Sequence, residues 1–269
     1  MDLQLAGRRA LVTGSSSGIG AGVARMLAEE GCRVVVHGRD RSRAEGVAQQ
    51  CGAVGIALGD LSTDAGADAV VAAAKAAASG GIDILVNNAG GGGHTAIQRW
   101  LDVLEADWDA TYQVNTIAAV RMIRRLAPGM AENHWGRIIQ IGSAIASQPG
   151  VLGPDYASAK AGMQSMTVGL AKALANTGIT VNTVSPGVIA TGTLLAFARG
   201  IAPRENWGEG LDDTELGVRM GRDRHKLPVG RIGTVEDVGH AVCMLASPKG
   251  GYITGANIRV DGGQLLGVN

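Results

Sequence analysis

The sequence predicts a single α/β domain over residues 1–269, built on a doubly wound, seven-stranded parallel sheet with helices on both faces. Three observations predict it. Seven short apolar runs alternate with amphipathic or alanine-rich stretches, as strands alternate with crossover helices in a sheet covered on both sides. A glycine-rich turn joins the first run to the first helical stretch. No repeat, low-complexity block or linker divides the chain, and 46% hydrophobic content over 269 residues suffices for one sizeable core.

Strands are expected at Ala10–Val12, Arg33–Val36, Val54–Ala57, Ile82–Asn87, Arg137–Ile141, Ile179–Val184 and Asn257–Val260. After the first, Thr13-Gly14-Ser15-Ser16-Ser17-Gly18-Ile19-Gly20 leads into Val23, Met26 and Leu27 at helical spacing. Glycines there permit a tight turn and close approach to a pyrophosphate, and the free N–H groups of the helix start carry partial positive charge. The spacing, G-x-x-x-G-x-G, departs from the common G-x-G-x-x-G, so at this point a turn with no ligand stays open. The second strand runs into Val36-His37-Gly38-Arg39-Asp40. An acidic residue ending that strand would bond an adenosine ribose and repel a 2′-phosphate. Gly38 stands there instead, and Arg39 follows with a guanidinium suited to phosphate. Asp40, one residue on, argues the other way, and Arg39, Arg41 and Arg43 also suit a solvated helix start. Ala65–Ser79, almost all small residues, predicts a packed surface helix. A doubly wound sheet puts its ligand crevice beyond the carboxyl ends of the strands.

Proton-transfer chemistry is spelled by Tyr156 and Lys160, four residues apart, with Ser143 thirteen positions upstream at the end of a strand. On a helix a spacing of four stacks the phenol and the ammonium on one face, where the cation favours phenolate. A free Tyr titrates near about 10 and needs such help to act at neutral pH. Taken alone the triplet is weak, because all three residue types are common.

With the glycine loop it is no longer alone, and the chain resembles the short-chain dehydrogenase/reductase family, including its 3-oxoacyl carrier protein reductase-like members. Thr13 to Gly20 is similar to the family's T-G-x-x-x-G-I-G cofactor loop, and Asn87-Asn88-Ala89-Gly90 to its N-N-A-G. Asn115, Ser143, Tyr156 and Lys160 fall on its catalytic tetrad, Pro186-Gly187 with Thr191 on its P-G-x-x-x-T segment, and Val260-Asp261-Gly262-Gly263 on its last strand and turn. The resemblance implies a Rossmann-type domain and hydride transfer between a nicotinamide cofactor and a ketone or secondary alcohol. Tyr156 would be general acid or base, Ser143 hydrogen-bond donor to the substrate oxygen, and Lys160 the group that lowers the Tyr pKa and holds a ribose. Asn115 would bend its helix and support a water chain. Implied cofactor contacts are Gly14, Ser16, Ser17, Gly18, Ile19, Gly20, Arg39, Asp60, Leu61, Asn88, Ala89, Gly90, Tyr156, Lys160, Pro186, Gly187, Ile189 and Thr191. Ser17 replaces a basic residue that some NADP-preferring members carry, but Arg39 favours NADP(H) over NAD(H). No metal is implied.

The segment 188–227 is expected to form a lid over the substrate, with Leu194, Leu195, Phe197, Ile201 and Trp207 either walling the pocket or packing the lid. The basic run Arg219–Lys226 reads as a solvated helix face, and His94 as a residue bordering the pocket. A small-molecule carbonyl or alcohol is the first choice of substrate. A 3-oxoacyl carrier protein reductase is the nearest alternative, weakened by the longer lid and by the absence of carrier-docking cations near His134 and Thr177. A non-catalytic nucleotide sensor is the third reading, disfavoured because binding alone does not need a phenol beside an ammonium. Formal charge is zero with 24 residues of each sign, which argues against nucleic acid or an anionic membrane as partner. Three widely spaced cysteines without C-x-x-C fit a cytoplasmic chain without disulfide or zinc, and no apolar run reaches membrane-spanning length. The resemblance implies a tetramer joined through two long helices, which here would span 107–132 and 155–176, and residues 264–269 are expected to touch a neighbouring subunit.

Overall fold

β-branched and aliphatic residues dominate the expected strands, and the chain pairs them as parallel neighbours. A computed structural model describes residues 1–267; Val268 and Asn269, the end of the expected domain and of its intersubunit tail, lie outside the described residues. The strands are β1 (Arg9–Val12), β2 (Arg33–Gly38), β3 (Gly55–Leu58), β4 (Ile84–Asn87), β5 (Gly136–Ile141), β6 (Ile179–Pro186) and β7 (Asn257–Val260). They form one sheet in the order β3-β2-β1-β4-β5-β6-β7, with every neighbouring pair parallel. The helices are α1 (Gly18–Glu29), α2 (Arg41–Cys51), α3 (Asp64–Ala77), α4 (Glu105–Tyr112), α5 (Ala118–Glu132), α6 (Pro154–Ala173), α7 (Gly192–Ile201), α8 (Asp213–Arg219) and α9 (Val235–Ala246).

Two apolar layers sandwich the sheet. Val23, Leu27, Val238, Val242 and Ala44 cover one face from α1, α9 and α2, while Val70, Ala74, Met122, Leu126 and Met130 cover the other from α3 and α5. The expected alanine-rich helix is α3, which buries Ala67, Val70, Val71 and Ala74 and leaves its other side in water. β4 begins two residues later than expected, and Asp83 just ahead of it accepts three bonds of 2.6–2.9 Å from Arg9 of β1. The helix expected over 107–132 is α4 and α5 joined by a π turn at Gln113–Ile117. The one expected over 155–176 stops at Ala173, and Asn176 beyond it takes a left-handed φ of 63°. Among the described residues no helix is long and apolar enough to cross a membrane.

The strand order reverses direction between β1 and β4, so the loops leaving their carboxyl ends diverge. That divergence is the crevice a doubly wound sheet offers a ligand.

Candidate active site

The crevice begins with a loop that polar side chains hold open. Thr13 Oγ1 donates to Val86 O (3.2 Å) and accepts from the Asn88 and Ala89 amides (3.0 Å each), tying the end of β1 to the end of β4. Asn88 Nδ2 donates to Thr13 O (2.9 Å) and Gly14 O (3.0 Å). Gly14 has φ +63°, and a Cβ there would come within 2.8 Å of Ala89 Cα, so only glycine fits. The following helix, α1, has no side-chain cap from Ser17 and no acidic residue in its first turn. Its amino end therefore offers unsatisfied N–H groups to the crevice, an arrangement that fits a pyrophosphate.

One arm of the crevice, a cavity of about 350 Å³, is lined by Ser16, Ser17, His37, Gly38, Arg39, Asp60, Leu61, Ala89 and Gly90 among others. Asp40 is absent from this wall. Its carboxylate caps α2, accepting from the Arg43 amide at 3.0 Å, so Arg39 is the charged residue that the β2 turn presents. Asp60 Oδ1 accepts from the Ser62 amide at 2.9 Å, and this bond chiefly holds its carboxyl below the usual range.

The other arm, about 270 Å³, brings together Gly14, Ser17, Ile19, Gly20, Asn88, Gly90, Ser143, Tyr156, Lys160, Pro186, Gly187 and Thr191. Ser143 follows the end of β5, Tyr156 and Lys160 share one face of α6, and Thr191 caps α7. Lys160 is buried, with Nζ donating to Ile141 O at 2.8 Å and lying 5.7 Å from the centre of the Tyr156 ring. Burial pushes the Lys160 ammonium down to about 8. The net shift of the phenol runs opposite to the expected lowering. Burial pushes Tyr156 up, and a hydrogen bond with Ser143 offsets it only in part. The reason is dryness: both groups are desolvated, and the ammonium is turned onto a backbone carbonyl. A phenol that keeps its proton is poised as an acid.

Asn115 lies outside this wall, fully buried in the π turn. Its Nδ2 donates to Gly91 O (3.0 Å) and Thr111 O (2.9 Å), and its Oδ1 accepts from the Gly91 amide (3.0 Å). A Cβ on Gly90 would collide with that Oδ1. Asn115 thus staples the β4 loop to the irregular helix, a role that explains the interruption between α4 and α5.

Ile189 buries its side chain in the core and pairs with Gly233, so the side chain does not line the crevice; Gly18 opens α1 facing Thr191. The lid residues Leu195 and Trp207 pack with Leu216, Met220 and Leu227 in a small core of their own rather than walling the pocket. Phe197 is half exposed beneath Arg224. In the basic run Arg219 and Arg222 pair with Asp223, and Arg224 pairs with Glu205. His94 is exposed and pairs with Asp107 at 3.2 Å. Sequence reasoning gave no role to His37 or Asp155. Asp155, preceding Tyr156, is fully buried and its Oδ2 meets the hydroxyls of Thr95 (2.8 Å) and Thr111 (2.6 Å), anchoring the loop after β4 to α4 and α6. Its adjacency to Tyr156 was the available signal.

The chain is similar over most of its length to known proteins. The family model for short chain dehydrogenases matches residues 8–199. The 3-oxoacyl-acyl-carrier-protein reductase of Vibrio cholerae is 33% identical over 264 residues, covering 98% of this chain and all of that protein. The acetoacetyl-CoA reductase of Allochromatium vinosum is 34% identical over 265 residues, 96% of this chain and 99% of its own. The crystal structure of L-sorbose reductase from Gluconobacter frateurii, complexed with NADPH and L-sorbose, superimposes with a TM-score of 0.88 at 30% identity, covering 100% of both chains. On the family model and these relatives, the chain belongs to the short-chain dehydrogenase family and is an oxidoreductase of the alcohol–carbonyl pair.

Proposed function

We propose that the protein is an NADP(H)-preferring reductase of a free small ketone, with a hydroxylated ketone of sugar size as the leading substrate class by likeness to the L-sorbose reductase structure. One observation carries the reading: the Ser143–Tyr156–Lys160 end and the Arg39 end are two arms of one crevice that share Gly14, Ser17, Gly90 and Gly91. Ser16, Ser17, Gly18, Ile19 and Gly20 with the α1 amino end would hold a pyrophosphate. Arg39 would hold a 2′-phosphate, with Asp60 and Leu61 beside the adenine. Lys160 and Asn88 to Gly90 would border the ribose and ring at the far end, with Pro186, Gly187 and Thr191 opposite. When bound, the nicotinamide supplies a hydride to the carbonyl carbon.

The chain's own residues do the rest. Ser143 donates to the carbonyl oxygen and stabilises the charge that develops there. Tyr156, kept protonated by burial, delivers its proton to that oxygen, and in the oxidative direction takes it back. Lys160 holds positive charge next to the phenol as the proton leaves. Asn115 acts at one remove, by fixing Gly91 and the loop that faces Tyr156.

The carrier-protein reductase remains the second reading, supported by the names of the curated relatives. Against it stand the lid's separate core and the lack of a permanent cation at His134 and Thr177. The reading extends to a homotetramer joined through α4, α5 and α6 and to the cytoplasm, where the free thiols of Cys32, Cys51 and Cys243 suit a reducing medium. Light scattering tests the assembly, and a mass near one chain rejects it. The function is tested by titrating the protein with NADPH and NADH, then assaying both against ketoses, diketones and a carrier-free 3-oxoacyl ester. Arg39→Ala should weaken NADPH by about tenfold or more and NADH far less; equal losses would return the ribose to Asp40.

A further inference from the structure

We infer that His37 is a positioning residue of the dinucleotide crevice, needed as a neutral ring to tie the glycine loop after β1 to the turn after β3. The inference rests on the dinucleotide reading above and reaches a residue that makes no part of the tetrad.

The geometry selects one state of the ring. Gly14 N lies 2.8 Å from His37 Nδ1, and an amide N–H only donates, so Nδ1 must accept and carries no proton. Gly59 O lies 3.1 Å from Nε2, and a carbonyl only accepts, so Nε2 must carry the proton. Both bonds hold together only in the neutral Nε2–H tautomer. The imidazolium would turn a second N–H against the Gly14 amide, replacing an attraction by a donor–donor clash. His37 is 3% exposed, so water has little access to repair the loss.

The backbone around it leaves little slack. Ser15 N donates to His37 O at 2.8 Å, His37 N donates to Ser15 Oγ at 2.9 Å, and Ser15 Oγ donates to Val12 O at 2.7 Å. Gly14 is gripped on both sides, its amide by His37 and its carbonyl by Asn88. Gly14 lines both arms of the crevice, and His37 and Gly59 line the Arg39 arm. Moving Gly14 therefore moves the wall that a pyrophosphate and an adenosine would share.

The charged groups facing the ring are Arg39 and Asp60, which act in opposite directions. Burial, the largest influence, holds the imidazole below its ordinary range of about 6.5. The ring stays neutral at physiological pH and protonates only in acid. A ligand that needs the neutral ring is then lost as pH falls, by up to about tenfold in Kd per pH unit below the titration.

The test is calorimetric titration of the full-length protein with NADP+ from pH 8 down through the protonation of His37, which 15N–1H spectra follow, in wild type and in His37→Asn. The asparagine keeps an acceptor for Gly14 but cannot titrate. Wild-type Kd should rise steeply in acid, while His37→Asn shows only the shallower drift of the ligand's own 2′-phosphate. Parallel curves for the two proteins would overturn the inference and leave the reductase reading standing. Absence of NADP+ binding at any pH would overturn both. Should His37→Asn fail to fold, a long-range 15N–1H spectrum of the wild type at pH 7.5 decides. The expected pattern is a bare Nδ1 and a protonated Nε2, and a protonated Nδ1 sinks the assignment.

Discussion

The crevice walls and the lid are built by different means. Around Gly14 and Gly90 the backbone is held by side chains that each bond a peptide group: Thr13, Asn88, His37 and Asn115. Across 188–227 the chain is held by Leu195, Trp207, Leu216 and Met220 packed together, with ion pairs on the outside. Directional bonds to backbone fix positions to fractions of an ångström and demand particular residue types, whereas apolar packing tolerates exchange. The proposed function draws its chemistry from the rigid region and its substrate choice from the tolerant one.

The contrast breaks most visibly at Tyr156. Tyr156→Phe should lower kcat by about 10²–10⁴-fold, the usual contribution of a general acid, with the Kd for NADPH unchanged. Retained turnover would remove Tyr156 from the mechanism. Next in size is a pH effect on stability. Lys160 titrates at about 8 in the folded protein against about 10.4 unfolded, so between those values the unfolded chain binds more protons. Stability should rise with pH across that window, by up to about 3 kcal/mol, and urea unfolding of Lys160→Met should lack that part of the slope. An equal slope in the variant would mean that the ammonium is not desolvated.

Legibility followed the same division. Thr13 to Gly20, Asn88 and the Ser143, Tyr156 and Lys160 set were readable because a turn, a loop clamp and a proton donor each require one residue type at one spacing. The strand runs were readable because a buried parallel strand is apolar on both sides. What escaped depends on contacts distant in sequence: Asp155 meeting Thr95 and Thr111, His37 meeting Gly14 and Gly59, and Arg9 meeting Asp83. No periodicity encodes such pairs. The pKa direction at Tyr156 also escaped, because burial is a property of the fold and not of the four-residue spacing.

Two smaller effects sharpen the comparison. Asn115→Ala should cost about 1–3 kcal/mol in urea unfolding, since the half-buried Gly91 and the Thr111 carbonyl lose their partner, and should weaken cofactor binding and turnover together. A variant that loses turnover alone would place Asn115 in the chemistry rather than in the scaffold. Trp207→Ala should raise KM for the ketone and speed proteolysis within 188–227, while the Kd for NADPH stays put. A matching loss of NADPH affinity would show that the lid and the crevice are one unit, and the contrast would fall.

The most direct measurement uses NADPH carrying deuterium at the transferable position of the nicotinamide. It is mixed with the wild-type protein and a ketose panel, and the product alcohol is read by mass spectrometry. The account predicts one deuterium on the new carbinol carbon, formed in step with NADPH oxidation and absent with Tyr156→Phe. Tight NADPH binding without a labelled alcohol from any carbonyl offered would contradict it.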